Sequence, residues 1–291
     1  MASADRAGAP ATRRPATVVV DYHAKEMLGR CLDSLEAEGL DQVVVVENGD
    51  PEAVAGILAG RSVSLLATGR NLGYGAGANR GIAASPPSEY VLVCNPDLEL
   101  HPGSVAALVA ALEAEPAWAV VGPRLLSPDG ATYPSVRRFP SMVDAAGHAL
   151  VGLFRPDNPF SNRYRPLGEG PQGRQRADWV SGACFLARRQ ALEELGGFDE
   201  GYFMFLEDTD LCWRAHRSGW GVGVEPAALV THVEGISRRR HPYRMLVAHH
   251  RSALRFANRT TTGWRRVFLP VAAVVLALRL ALALGRKAGA G

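Results

Sequence analysis

The chain has 291 residues, 47% of them hydrophobic, and its 32 Lys and Arg nearly balance 29 Asp and Glu. This length fits one large α/β domain or one and a half ordinary domains, which is enough for a sizeable core. The four cysteines are far apart and show no CxxC or Cys/His spacing, which excludes a cysteine-based metal module and indicates reduced, buried thiols in a cytosolic compartment.

The charge is distributed unevenly along the chain. No acidic residue follows Glu234, and residues 235–291 hold twelve of the Lys and Arg, so that residues 1–234 carry 20 basic and 29 acidic side chains. A segregated basic end predicts contact with a polyanion, either nucleic acid or the anionic face of a membrane. Residues 1–15 are rich in Ala, Pro and Arg without an apolar core, so we predict a disordered tail and no secretory signal.

The start of the folded region predicts alternating strands and helices. Apolar strand patterns cover residues 17–22, 42–47 and 63–67, a helical pattern covers residues 26–38, and Pro51 suits the first turn of the next helix. These strand segments are apolar at nearly every position and do not alternate between apolar and polar residues. We therefore expect them to lie in a parallel sheet with right-handed crossovers.

A glycine-rich turn, Asn71-Leu-Gly-Tyr-Gly-Ala-Gly-Ala-Asn-Arg-Gly81, leads into a short helix. Two interpretations stay open for it. Glycines and a helix N-terminus can bind a phosphate, or the glycines can let the helix pack tightly on the sheet. No P-loop spacing and no complete GxGxxG is present, which disfavours nicotinamide binding.

The stretch Tyr90-Val-Leu-Val-Cys-Asn-Pro-Asp97 predicts a strand that is buried on both faces and ends abruptly in polar residues. In open α/β sheets, ligands bind outside the carboxyl ends of the strands. Asp97 is therefore a candidate for holding a metal or a diphosphate. The alternative is that residues 95–97 form only a turn, since all three residues favour turns.

The next part of the chain predicts further regular elements and one long loop. Helices are predicted at residues 102–115 and 189–195, strands at 119–122 and 178–187, and a tight turn at 127–130. Residues 152–177 lack periodicity and predict a loop that is a lid, an acceptor-binding segment or simply mobile.

Three carboxylates, Glu207, Asp208 and Asp210, fall in the first turn of a predicted helix. The helix dipole favours acids there, so capping is one interpretation. Three like charges within four residues are costly, however, unless one carboxyl takes up a proton or a cation lies nearby, which indicates a functional site. A strand is predicted at residues 221–225, and His232 beyond it is either a packed histidine or a ligand.

The basic end predicts two helical segments, at residues 242–258 and 267–284. The second segment is apolar and contains one charge, Arg279, and one proline. About 20 apolar residues are needed to cross a bilayer, so its length is marginal. Basic flanks and Trp264 favour a helix in the membrane interface, with spanning and soluble packing as alternatives. Charge alone would also fit nucleic acid, but the chain shows no nucleic-acid motif and we predict no such partner.

Six short motifs follow one another in the chain and together resemble a known family. They are Val46-Glu-Asn-Gly49, Asn71-Leu-Gly-Tyr-Gly-x-Gly-x-Asn79, Asn95-Pro-Asp97, Gly196-Gly-Phe-Asp199, Glu207-Asp-x-Asp210 and His232-x-x-Gly-x-Ser237. In this order they resemble the inverting nucleotide-sugar glycosyltransferases of the GT-A, family 2 type. Within that family the chain is most similar to the actinobacterial rhamnosyltransferases that act on decaprenyl-diphospho-N-acetylglucosamine, through residues 133–141, 179–184 and 248–250.

The resemblance implies an α/β fold of the GT-A type, with a Rossmann-like, mostly parallel central sheet flanked by helices. It covers residues 16–258, between the tail at residues 1–15 and a basic, apolar helical extension at residues 259–291 that is expected to associate with a membrane. It also implies residue roles. Glu47 stands where the family usually has Asp and would read the pyrimidine N–H of the nucleotide. Further donor-site positions are Asn48, Asn71, Gly73, Asn79 and Asn95.

The resemblance also assigns the metal and the base. Asn95-Pro-Asp97 replaces the usual Asp-x-Asp, so Asp97 is the expected ligand of Mg²⁺ or Mn²⁺, and His232 matches a position that completes this site in relatives. Asp208 matches the catalytic base. Glu207 is its partner in the acidic pair, and Asp210 could share or tune the role of the base.

The activity implied is inverting transfer of L-rhamnose from dTDP-L-rhamnose to polyprenyl-diphospho-N-acetylglucosamine, in cell-wall linker or polysaccharide assembly. Such an enzyme would be cytoplasmic and peripheral on the inner face of the cell membrane, and Arg238-Arg-Arg240 could hold the acceptor's diphosphate. One alternative is a family-2 transferase that uses another nucleotide sugar. Another is an inactive sugar-nucleotide-binding or membrane-scaffold protein. The presence of Asn95 where the family usually has Asp would support this alternative.

Overall fold

The structure is a computed structural model that describes residues 14–133, 136–139, 155, 159, 173–233 and 242–288. Several predicted features lie outside the described residues. These are residues 1–13 of the predicted tail, most of the loop predicted at 152–177, the Arg238-Arg-Arg240 run, and the Gly and Ser of the motif that begins at His232.

The first half of the chain alternates strands and helices as predicted. Asp50 caps the second helix by accepting a hydrogen bond from the Glu52 N–H at 3.1 Å, and Pro51 occupies the first turn. The elements are Ala16–Asp21 (β1), Lys25–Ala37 (α1), Val43–Glu47 (β2), Pro51–Leu58 (α2), Val63–Ala67 (β3), Tyr74–Ala84 (α3), Tyr90–Cys94 (β4), Leu98–Leu100 (β5), Ser104–Ala114 (α4) and Trp118–Leu126 (β6). Strand β5 was not predicted because three residues are too few to show a periodicity.

The second half begins with short strands and ends in helices. Its elements are Thr132–Tyr133 (β7), Val136–Arg137 (β8), Gln175–Arg176 (β9), Trp179–Val180 (β10), Cys184–Arg188 (β11), Arg189–Leu195 (α5), Glu207–Arg217 (α6), Gly221–His232 (β12), Pro242–Thr260 (α7) and Leu269–Ala288 (α8). A 3-10 helix, Gly263–Phe268, precedes α8.

Two strands predicted in this half are present with different bounds. The single strand predicted at residues 178–187 is broken between β10 and β11, because the Gly182 N–H donates to the Asp208 carboxylate and not to a neighbouring strand. The strand predicted at residues 221–225 continues to His232 as β12. A shift in its pairing between Glu225 and Leu229 lets it pass Pro226, which has no N–H to donate.

Ten of the described strands form one sheet. Its main path runs β3-β2-β1-β4-β11-β6-β12-β5, with β7 added to β6 and β9 added to β12. Strands β1 to β4 pair in parallel, whereas β11 runs antiparallel to both β4 and β6. The predicted mostly parallel sheet is confirmed. Because β11 is reversed, the residues that precede it lie at the same edge as the carboxyl end of β4.

Helices cover both faces of this sheet, so the central strands are fully buried. One core contains α1 and α4, with Leu28, Leu35, Leu108 and Leu112 packed beneath the strands, and the other contains apolar residues of α3, α5 and α6. All four cysteines are free and buried, as predicted.

The glycines of α3 let that helix lie directly on the sheet. A Cβ at Gly81 would fall 2.3 Å from Cγ1 of Val18 and 2.7 Å from Cγ2 of Val46. A Cβ at Gly77 would fall 2.8 Å from Nδ2 of Asn48. Both positions exclude a larger side chain, which confirms the packing interpretation for this helix. Phosphate binding at its N-terminus stays a prediction.

Candidate active site

One edge of the sheet collects the polar residues that end the buried strands. Asp21 and Glu47 are the last residues of β1 and β2, and they lie opposite each other in the parallel register. Asn95 follows β4 directly, and His232 is the last residue of β12. Because the parallel strands end together, this edge gathers side chains that are far apart in the sequence.

Asp97 and His232 meet at this edge. Pro96 and Asp97 form a turn, as one interpretation predicted, and this turn leads into β5, whose Leu98 pairs with His232. The Val233 N–H donates to the Asp97 carbonyl at 2.9 Å. The Asp97 Oδ1 lies 3.4 Å from the His232 Nε2, and the two residues are only 8% and 7% exposed.

These two side chains fit a divalent cation. Among the residues that the structure describes, Oδ1 of Asp97 is buried without a hydrogen-bond partner, which is costly for a carboxylate unless a cation compensates for it. No group of three or more His, Cys, Asp or Glu surrounds a metal position in the described part of the chain. The pair therefore fits an ion that takes its other ligands from water and a diphosphate, as Mg²⁺ commonly does.

Asp208 is held beside the end of β4 by the break between β10 and β11. Its Oδ2 accepts the Gly182 N–H at 2.8 Å, and its Oδ1 accepts the Thr209 N–H at 2.7 Å. The carbonyl of Ala183 accepts the Asn95 N–H at 2.8 Å. Adjacent residues in the break therefore contact Asp208 and Asn95, which brings the acidic helix start and the Asn95-Pro-Asp97 turn to one site.

The three carboxylates at the start of α6 have different environments. Glu207 is buried, and burial followed by the charge of Asp208 raises its pKa to about 8. Asp210 is fully buried, lies 2.7 Å from Nε of Arg214 and accepts a hydrogen bond from the Tyr202 hydroxyl at 3.2 Å. Asp208 alone of the three is partly exposed. The predicted proton uptake thus falls on Glu207, and Asp208 is the carboxylate of the three that solvent can reach.

The raised pKa of Glu207 predicts a pH dependence of stability. Between its ordinary pKa of 4.5 and about 8, the folded protein holds a proton that the unfolded chain has lost. This stabilisation is fully present below 4.5 and is lost as the pH rises through about 8. We expect Glu207→Gln to remove a slope of up to about 1.4 kcal/mol per pH unit. The free energy of unfolding in urea, measured from pH 5 to pH 8 for both proteins, checks this, and parallel curves would contradict it.

Glu47 and Asp21 form a second carboxyl pair. Burial, followed by a hydrogen bond and the charge of Asp21, raises the pKa of Glu47 to about 8. Burial also raises the pKa of Asp21. The pair lines a cavity of about 220 Å³ with His23, Lys25 and Asp50. Asp21 was not predicted as a site residue, although it ends a buried strand in the way that Asp97 follows one.

The predicted donor-site residues separate into two groups. Asn48 donates to the Gly73 carbonyl at 3.1 Å, and Asn71 accepts the Gly73 N–H at 2.9 Å, so these three shape one turn. Gly73 has a φ of +88°, and a Cβ there would fall 2.1 Å from the Phe203 carbonyl oxygen. Asn79 lies further along α3, where its amide exchanges hydrogen bonds of 2.9 and 2.8 Å with the Phe198 backbone. Its contact with a donor stays a prediction.

Sequence comparison places this site in a family. Residues 17–196 match the glycosyl transferase family 2 domain. The chain is 39% identical over 263 residues to the N-acetylglucosaminyl-diphospho-decaprenol L-rhamnosyltransferase of Mycobacterium tuberculosis, which covers 86% of this chain and 85% of that protein. It is 23% identical over 225 residues to the rhamnosyltransferase WbbL of Escherichia coli K12, over 74% of this chain and 81% of that protein.

Structural comparison agrees on the fold. The mannosyltransferase PcManGT from Pyrobaculum calidifontis, in complex with GDP-Man and Mn²⁺, aligns with a TM-score of 0.54 at 16% identity, over 94% of this chain and 75% of that one. GalNAc-T7 with UDP, GalNAc and Mn²⁺ aligns with a TM-score of 0.56 at 15% identity, over 76% of this chain and 44% of that one, so the chain spans less than half of GalNAc-T7.

The sheet, its flanking helices and these neighbours define a GT-A glycosyltransferase fold. The chain belongs to glycosyl transferase family 2. The fold class, the enzyme class and the family resemblance read from the motifs are thereby confirmed.

Proposed function

We propose that the protein transfers L-rhamnose from dTDP-L-rhamnose to a polyprenyl-diphospho-N-acetylglucosamine acceptor, in cell-wall linker or polysaccharide assembly. The observation that carries the proposal is the 39% identity over 263 residues to a transferase named for rhamnose and for that class of acceptor. The similarity extends over 85% of that relative, so it includes sequence beyond the nucleotide-binding half.

Asp208 is the general base in this proposal. It takes the proton from the acceptor hydroxyl while the hydroxyl oxygen bonds to the anomeric carbon and the bond from that carbon to the diphosphate breaks. One such in-line displacement inverts the anomeric centre, so a β-linked donor gives an α-rhamnoside. The N–H groups of Gly182 and Thr209 fix the orientation of the carboxylate. Protonated Glu207 places no second charge beside it.

Asp97 and His232 would hold Mg²⁺ or Mn²⁺, with Asn95 as a neutral neighbour. When bound, the cation neutralises charge on the leaving diphosphate. The observation that supports this assignment is Oδ1 of Asp97, which within the described residues is buried without a hydrogen bond and lies 3.4 Å from Nε2 of His232. Glu47, backed by Asp21, would receive the pyrimidine N–H, and the turn formed by Asn48, Asn71 and Gly73 would lie along the donor.

The C-terminal segment would attach the enzyme to the inner face of the membrane, where a lipid-linked acceptor resides. Residues Gly263–Gly285 form a helical stretch long and apolar enough to cross a bilayer, with a mean hydropathy of 2.5. Trp264 is 74% exposed, and other large apolar side chains recur every three or four residues, which places them on one face. They are Val267, Val271, Val274, Leu278 and Leu282.

Deleting residues 264–291 is expected to release the protein from membranes with its fold intact. The truncated protein keeps Arg255 and Arg259, whose ion pairs hold α7 on the domain. Sedimentation with phosphatidylglycerol vesicles measures binding, and thermal unfolding of both proteins monitors the fold. Continued sedimentation of the truncated protein would place the membrane attachment elsewhere.

The activity assay offers dTDP-L-rhamnose and a polyprenyl-diphospho-N-acetylglucosamine analogue, with and without Mg²⁺ or Mn²⁺, beside UDP-hexoses and UDP-galactofuranose. Metal-dependent rhamnose transfer is the expected result. Turnover of a different donor would keep the mechanism and overturn the rhamnose assignment. Silence with every donor would favour the inactive sugar-nucleotide-binding alternative.

A further inference from the structure

Two carboxylates and three guanidinium groups form a cluster where α7 meets the rest of the domain. Nη2 of Arg259 lies 2.9 Å from Oδ2 of Asp199, and Nε of Arg259 lies 3.3 Å from Oδ1 of Asp210. Arg255 donates to both oxygens of Asp199, at 2.8 and 3.1 Å. Arg214 adds a contact of 2.7 Å to Asp210. We call these five residues the arginine clamp.

The two carboxylates of the clamp are buried more deeply than those of an ordinary surface ion pair, although the side chains of Arg255 and Arg259 are 44% and 34% exposed. The side chain of Asp210 is 0% exposed and that of Asp199 is 14% exposed, so both depend on their arginines for compensation. Arg259 is the member that joins the two carboxylates. Removing it would leave Asp210 with Arg214 and Asp199 with Arg255, but would disconnect the two halves.

The two carboxylates bracket the turn that leads into the acidic helix start. Within it, Phe205 and Leu206 have φ angles of 70° and 66°, a left-handed conformation that non-glycine residues adopt only when surrounding contacts enforce it. Glu207 and Asp208 follow immediately. The backbone at these two strained residues therefore sets where the Asp208 carboxylate lies.

Helix α7 also contacts residues of the turn that lie between Asp199 and Asp210. The Ser252 hydroxyl donates to the Met204 carbonyl at 2.8 Å, and the ring of His249 packs edge-on against Phe205 with centroids 5.5 Å apart. Together with the pairs at Asp199 and Asp210, these contacts attach α7 before, within and after the strained residues. Arg259 contacts Asp199 and Asp210, so its effect on the Asp208 carboxylate acts through the turn between them.

We propose that Arg259 is a positioning residue for the transfer reaction, and that through its bridge between Asp199 and Asp210 it fixes the strained turn that places Asp208. This inference rests on the role proposed above for Asp208. In this proposal α7 helps to position the catalytic carboxylate and does not only connect the domain to the apolar C-terminal segment.

The test compares Arg259→Met with Arg61→Met, a control whose partner carboxylates are more exposed, at 64% and 79%. Arg61 also bridges two carboxylates, with Nη2 at 2.6 Å from Asp33 and Nη1 at 3.6 Å from Glu36, but it lies against α1. A misplacement of about 1 Å at a reacting group costs about 100-fold in rate. We therefore expect Arg259→Met to lower kcat by about 10- to 100-fold with the donor KM changed less than about twofold, and Arg61→Met to leave kcat unchanged.

A second readout needs no substrate. Amide hydrogen exchange of residues 203–209 should become faster in Arg259→Met and stay unchanged in Arg61→Met. This measurement reports on the turn even if the proposed donor or acceptor is wrong. Failure of the positioning role of Arg259 can therefore be distinguished from failure of the proposed function. Wild-type exchange and kcat in Arg259→Met would overturn the proposal, as would an equal fall of kcat in Arg61→Met, which would indicate a general loss of stability.

A charge-preserving variant covers the case in which Arg259→Met does not fold. Arg259→Lys keeps the positive charge but cannot contact both carboxylates with a planar fork. We expect its kcat to lie between those of the wild type and Arg259→Met, or about tenfold below the wild type where the Met variant is lost. A wild-type kcat and wild-type exchange in Arg259→Lys would overturn the bridging role.

Discussion

Replacing Asp208 with Asn is expected to abolish measurable transfer while donor binding persists. A general base is worth about 10²–10⁴ in rate, and the amide of Asn takes up no proton at the pH of the assay. The donor is bound by other groups, among them Glu47 and Asp97 in our proposal. Rhamnose transfer under saturating donor and acceptor measures the first effect, and calorimetric titration with the nucleotide diphosphate measures the second.

The substitution also has a local structural cost. Both oxygens of Asp208 accept backbone N–H groups, from Gly182 and Thr209, whereas Asn has one acceptor oxygen and an amide that only donates. One N–H therefore loses its acceptor, which costs about 1–3 kcal/mol if it stays buried. The unfolding midpoint of the variant must be compared with that of Asp129→Asn, a substitution in the exposed turn at residues 127–130.

The outcome separates the roles of the neighbouring acids. Loss of transfer with retained nucleotide binding, against normal activity in Asp129→Asn, assigns proton abstraction to Asp208. Full activity in Asp208→Asn would remove Asp208 from the mechanism and direct attention to Glu207. Asp210 is the weaker substitute, because it is fully buried against Arg214 and Arg259.

The parts of the site that the sequence predicts are those with a local signature. The run from Tyr90 to Cys94 is apolar on both faces because the strand is buried on both faces, and the polar residues after it mark where the strand leaves the core. The crowding of Glu207, Asp208 and Asp210 within one helical turn is likewise a local fact, and its consequence, a carboxyl that keeps its proton, follows from burial and charge.

Contacts between distant segments have no such signature. Gly182 holds Asp208 only because β11 runs against its neighbours, and a short apolar run does not reveal its direction. The pairing of Asp21 with Glu47 depends on the register of β1 and β2, which sequence periodicity leaves open. Arg259 lies 49 residues after Asp210 on a basic helix, where it is indistinguishable from arginines that face solvent.

At Asn95-Pro-Asp97 the predicted turn is confirmed, whereas the role of Asp97 as a metal or diphosphate ligand stays a prediction. The residues do form a turn, as their composition predicts. The turn is buried, however, and β5 pairs with β12 immediately after it, which sets the Asp97 carboxylate beside His232. Composition predicts the turn, but the contact between Asp97 and His232 depends on the order of the strands in the sheet.

Asp97→Ala is expected to make donor binding insensitive to divalent metal. Removing residues that merely support a metal ligand costs about 10- to 100-fold in metal affinity, so loss of a ligand should cost at least about 100-fold. Calorimetric titration measures the Kd of dTDP in Mg²⁺ or Mn²⁺ and again in EDTA. The Kd should differ strongly between metal and EDTA for the wild type and hardly at all for the variant. His232→Gln is expected to show a smaller difference than the wild type, because it removes the second protein ligand and leaves the carboxylate in place.

The fold should tolerate this change better than a typical buried substitution. Within the described residues, Oδ1 of Asp97 accepts no hydrogen bond and lies 3.4 Å from Nε2 of His232, so in the absence of metal its removal costs the contact with His232 but relieves a buried charge. Asp97→Asn, which keeps the shape and removes the charge, should therefore unfold at or above the wild-type temperature in EDTA. Asp129→Ala serves as the exposed control for metal dependence. If the Kd of dTDP in Asp97→Ala still differs between metal and EDTA as it does in the wild type, Asp97 is ruled out as a ligand. If that difference in Kd is lost in both Asp97 variants, the ligand role belongs to the charge of the carboxylate.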